Sequence, residues 1–133
     1  VNFKWPQGED LNIQLIYKEG DTPQKAVPVP LASGYALRMD IVTSGTTKRL
    51  VYSFTSEAHS GVLGTGANKQ PNINIFLDRD LTLPGGVIYQ EMNASTPMST
   101  FSYDIFIRNT TTDRQVKILR GSITVEASNT LWV

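Results

Sequence analysis

Apolar side chains recur at every second position through most of this chain, a spacing that fits extended strands with one buried face and leaves no space for long amphipathic helices. Leu11, Ile13, Leu15 and Tyr17 keep it, as do Tyr35, Leu37, Met39 and Ile41, then Leu50, Tyr52 and Phe54. Ile73, Ile75 and Leu77 resume it, and Phe101, Tyr103, Ile105 and Ile107 carry it furthest. Val116 and Ile118, then Ile123 and Val125, return on the same pattern, with Gly121 expected at a bulge or bend between them. Phe3 and Trp5 alternate likewise near the N-terminus. Turn-forming residues separate these runs: Pro6 to Asp10, Glu19 to Asp21, Thr43 to Thr46, and the polar hairpin Asn109 to Arg114.

Strands joined by short polar connections predict an all-β chain: an antiparallel β-sandwich of seven to eight strands, immunoglobulin-like or related. The 133 residues suit one domain over 1–133 with extended termini. Pro23, Pro28 and Pro30 cannot donate to a ladder and belong to an edge or a loop. The glycine-rich stretch 56–71, with Gly61, Gly64 and Gly66, is long for a connection and reads as a binding loop, an irregular edge or a disordered segment. Asp78 to Leu83 fits a compact turn or a single helical turn, and Val87 to Met92 fits a strand.

Charge narrows the partners. Twelve Lys plus Arg balance twelve Asp plus Glu, so no basic field exists to neutralise phosphates, and nucleic acid is not an expected partner. No apolar run approaches the roughly 20 residues needed to span a bilayer, so no membrane partner is expected either. The absence of cysteine removes disulfides, thiolate nucleophiles and Cys-ligated zinc.

Candidate chemistry is thin. Glu57 and His59 could place two ligands on one side of an extended segment, but a catalytic metal needs a third. Asp78 and Asp80 flank Arg79, whose charge opposes a calcium ion that wants six to eight oxygens. Asp104 has no histidine to work with and is expected to pair with Arg108 or a neighbouring strand. Arg38, Asp40, Lys48 and Arg49 read as cross-strand charge pairing. No serine sits in a Gly-x-Ser-x-Gly elbow, so no catalytic residue, metal or cofactor is assigned. Asn93-Ala94-Ser95 and Asn109-Thr110-Thr111 match the glycosylation acceptor pattern, which matters only on a secretory route.

The tails Val1 to Trp5 and Asn129 to Val133 each hold a tryptophan beside other apolar residues. Buried aromatics dominate interface energies, so these tails are the expected docking elements, with Phe3, Trp5, Tyr89, Leu131 and Trp132 as interface candidates.

Trp5-Pro6-Gln7-Gly8-Glu9-Asp10 leading into Leu11 to Tyr17 resembles the opening of the small β-sandwich at the N-terminus of tailed-phage baseplate upper proteins and related virion proteins. Leu31 to Met39, Leu83-Pro84-Gly85-Gly86, Tyr103-Asp104-Ile105 and Arg120 to Val125 are similar to that pattern in the same order. The loop 56–71 and the segment 87–98 depart from it. The resemblance implies a non-enzymatic bacteriophage virion structural protein, assembled in the host cytoplasm, that docks on other virion structural proteins as a tail or baseplate adaptor or a capsid decoration. Repeated copies in a symmetric assembly would follow. The alternative is a carbohydrate-binding or host-adhesion module in which Trp5 and Tyr89 stack on sugars.

Overall fold

A computed structural model describes residues 1–132. In chain order the strands are β1 (Phe3–Pro6), β2 (Leu11–Leu15), β3 (Lys18–Glu19), β4 (Val27–Pro28), β5 (Tyr35–Thr43), β6 (Leu50–Thr55), β7 (Ile73–Leu77), β8 (Met98–Asn109) and β9 (Gln115–Glu126). A short helix, α1 (Val87–Glu91), and 3-10 turns at Ser56–Ala58, Ala67–Lys69 and Arg79–Thr82 lie between them. The chain is all-β, with most pairings antiparallel.

The alternating residues explain the largest sheet, whose order is β1-β9-β8-β5-β6. Register sets Leu37 opposite Ile107, Met39 opposite Ile105 and Ile41 opposite Tyr103, so three successive pairs face inward. β6 adds Phe54 beside Met39, and β9 adds Ile123 beside Phe101. A second sheet, β2-β7, sets Ile13 opposite Ile75. Side chains of both sheets join one hydrophobic cluster, with Leu31, Val62 and Ile88 supplied from between the strands. Each fully buried Leu, Ile or Phe there contributes roughly 1.5–3 kcal/mol. A small third sheet, β3-β4, accounts for the proline-bearing segment as a two-residue edge pairing.

The N-terminus corrects an expectation. β1 pairs in parallel with β9, Phe3 opposite Ile123 and Trp5 opposite Val125. The tight Gln7–Asp10 turn carries the chain from one sheet to the other, so β1 has no hairpin partner and takes its place beside the last strand. Trp5 is 0% exposed, and its indole Nε1–H donates to Glu9 O at 2.7 Å. The side chain expected to dock on a foreign chain is therefore a core residue. Phe3 is half-buried and packs against Tyr103, ring centroids 5.6 Å apart.

Gly121 also differs from its expected role. The register shift in the β8–β9 ladder falls opposite Ile105 and Phe106, which leaves Ile118 as the extra residue, while Gly121 pairs regularly with Tyr103. Glycine is needed for proximity instead: a Cβ there would lie 1.8 Å from Val1 O, the carbonyl that accepts the Tyr103 hydroxyl at 2.6 Å. Gly121→Ala is expected to push Val1 off β9 and break that bond. Amide exchange of β1 should rise while the hairpin β8–β9 keeps its protection; unchanged β1 exchange would refute this role.

The stretch 56–71 is an irregular edge. Val62 is buried, Leu63 bridges Ile73, and Gly64 N–H donates to Asn72 O at 2.9 Å. Gly66 takes φ 73° and lies where a Cβ would meet Pro28 Cβ at 2.7 Å, so side chains are excluded on two counts. Val87 to Glu91 forms α1 rather than a strand, and Arg79–Thr82 supplies the expected single turn.

Candidate docking site

Several segments converge where β1 and β9 end. Gln7, 7% exposed, organises the junction. Its Nε2–H donates to Thr82 O at 2.9 Å, and its Oε1 accepts from Ser128 N–H at 3.0 Å. The Ser128 hydroxyl donates back to Gln7 O at 2.9 Å, and Gly8 N–H donates to Thr82 Oγ1 at 2.9 Å. Gln7 N–H also meets Glu126 O at 2.8 Å. One amide side chain thus ties the segment after β9 to the 3-10 turn after β7. A single glutamine inside a turn-like sequence gives no signal of this.

The same end gathers exposed apolar surface. Trp132 is 83% exposed, and Leu50, Val87, Tyr89 and Met98 are also exposed. Met98 opens β8 opposite Glu126, and Leu50 opens β6. Arg49 forms an ion pair with Glu91, which brings α1, with Val87 and Tyr89, to this end of the sheet. Leu131 lies beside Gly8, where a Cβ would sit 3.7 Å from its methyl and 3.5 Å from that of Leu83. Of the interface candidates, Tyr89 and Trp132 are exposed at this end, Phe3 and Leu131 are half-buried, and Trp5, on β1, is enclosed. Val133 lies outside the described residues.

Residues suited to chemistry are dispersed. His59 stacks on Phe54, centroids 4.2 Å apart, with Nδ1 3.0 Å from Thr55 O. Asp78 accepts from Asp80 N–H at 2.8 Å and so caps the 3-10 turn. Asp104 pairs with Lys117 of β9 at 3.6 Å, while Arg108 reaches Asp113 at 3.3 Å; the neighbouring strand, not Arg108, supplies the partner. Among the described residues no three His, Asp or Glu side chains gather as a metal site would require.

The outward face of the large sheet is a charged lattice. Asp40 and Asp104 stand directly opposite each other. Arg38 binds Asp40 at 2.9 Å, Ser53 donates to the same carboxylate at 2.6 Å, and the Lys117 ammonium lies 5.5 Å from the Phe106 ring centre. The cations offset a like-charge pair that would otherwise destabilise the ladder. Burial pushes the phenols of Tyr52 and Tyr103 above their ordinary range. Tyr17 rises to about 12 through burial, then its hydrogen bond to Glu19 and that carboxylate's charge. All three phenols stay protonated near neutrality.

With Trp5 enclosed, the paired aromatic platform expected for a sugar does not form, and Tyr89 alone of the two is at the surface. No protein-family model matches the chain, and comparison with curated proteins gave no match.

Proposed function

We propose that the chain is a non-enzymatic structural protein of a bacteriophage virion, a tail or baseplate adaptor or a capsid decoration, that docks on other virion proteins in repeated copies. Its fold is taken as a β-sandwich, immunoglobulin-like or related, the large sheet facing β2–β7 across the shared core. The observation that carries the reading is Trp132, 83% exposed at an end that also exposes Leu50, Val87, Tyr89 and Met98. Apolar surface is costly to keep in water and is stabilised when it is buried against a foreign apolar surface. A near-zero net charge places little repulsion in the way of close packing between subunits.

Phage particles produced from the genome that encodes this chain, purified and inventoried by mass spectrometry, should contain it in many copies. Particles that lack it would overturn the virion assignment.

A further inference from the structure

A strand at a sheet margin presents unpaired peptide groups, and folded proteins blunt such margins with charges, prolines, bulges or covering segments. Most margins here carry such a device. β1 has Lys4 and Pro6, and β3 with β4 have Lys18, Glu19 and Pro28. α1 packs against β6, Val62 to Gly64 line β7, and the part of β9 beyond β1 has Lys117 and the bulge at Ile118.

β2 has none of them. Among the described residues it pairs only with β7, in an unbroken register, and Leu11 to Tyr17 contain no charge, proline or glycine. Asn12, Gln14 and Ile16 are exposed.

The direction of its peptide groups follows from β7. Asn74 N–H donates to Val62 O at 2.7 Å, on the side of β7 away from β2. In an antiparallel ladder, opposed residues either exchange both backbone bonds or neither. Gln14, opposite Asn74, therefore holds a non-bonded position, and so does Asn12, opposite Phe76. The N–H and C=O groups of both residues point outward from the free margin of β2.

We propose that this margin is occupied by β2 of a second copy of the chain, the two strands running antiparallel about a two-fold axis at Ile13. That axis sets Asn12 opposite Gln14 of the second copy, and each such pair exchanges both of its outward bonds. Their carboxamides meet on the outer face, while Leu11 meets Leu15 and Ile13 meets its own counterpart on the core side. No like charges are opposed, and Asp10 of one copy falls opposite Ile16 of the other, two residues from Lys18. A two-stranded sheet is marginal alone; the two β2–β7 ladders would become one continuous sheet of twice the width. The proposal deepens the reading of repeated copies and rests on it for the need of copies to meet.

Sedimentation equilibrium of the whole chain tests it. The wild type should show twice the 14.7 kDa mass and Gln14→Pro the monomer mass, because the lost N–H faces away from β7. Should Gln14→Pro lose its circular dichroism, the double variant Asn12→Lys/Gln14→Lys, at two exposed positions, sets like charges opposite each other and should also be monomeric. Amide exchange at Asn12 and Gln14 should slow as protein concentration rises, and Trp132→Ala should leave the dimer intact. A wild-type monomer at all concentrations, or a dimer that survives the folded β2 variants, would overturn the proposal. If particles contain the chain but β2 does not pair, only this contact fails; a β2 dimer absent from particles would fail the virion reading instead.

Discussion

Trp5→Ala is expected to lower folding stability by about 3–5 kcal/mol, the usual cost of deleting a buried tryptophan, while Trp132→Ala should change it by no more than about 0.5 kcal/mol, as an exposed site should. The two residues are the same chemically and opposite in position. Trp5 is enclosed among the core residues with its indole N–H bonded to Glu9 O, so truncation leaves a cavity and removes that hydrogen bond. Trp132 holds almost its full surface in water. Its truncation should weaken attachment to the docking partner by at least about 2 kcal/mol, near a thirtyfold loss. Denaturant melts of the purified subunit and occupancy on the particle separate the effects. Equal stability losses for both variants, or full occupancy by Trp132→Ala, would remove the apolar end as the docking element.

The contrast shows where sequence reasoning reaches. Phe3 and Trp5 alternate as strand residues do, and the strand is there; what the pattern did not carry was its partner, since a parallel pairing with residues 123–126 is set by topology. The long runs of β5, β8 and β9 were legible because one face of each is buried along its length. α1 was not, since five residues are too few for a 3.6-residue period to show. Nor did spacing distinguish a glycine that makes a bulge from Gly121, which accommodates the Val1 backbone. At the candidate site Tyr89, Leu131 and Trp132 were legible as apolar residues in poorly patterned segments. Leu50, Val87 and Met98 were hidden because each belongs to an ordinary strand or helix, and their exposure comes from where those elements end. Gln7 and Asn72 carry polar networks that depend wholly on tertiary neighbours.

Asn72→Leu should destabilise the chain by about 2–6 kcal/mol, from two groups left unbonded at about 1–3 kcal/mol each. Asn72 is 0% exposed. Its Oδ1 accepts from Tyr17 N–H at 2.7 Å, and its Nδ2 donates to Tyr17 O and Val29 O, both at 2.8 Å. Leucine fills a similar volume, so the change reads bonding rather than a cavity. Tyr17 O keeps Val29 N–H as a donor at 3.1 Å; Tyr17 N–H and Val29 O lose theirs. Asn72→Asp keeps the acceptor for Tyr17 N–H but withdraws both donors and sets a carboxylate beside two carbonyls, so it should be no milder. Amide exchange at Tyr17 and Val29 should rise before that of β8 and β9, because the side chain clamps the end of β2 to the segment after β4. If both variants melt like the wild type, the clamp contributes nothing and the shared core alone holds β2 in place. If they melt early, the same loosening should reach the free margin of β2 and weaken pairing between copies, although residue 72 lies on neither of the paired strands.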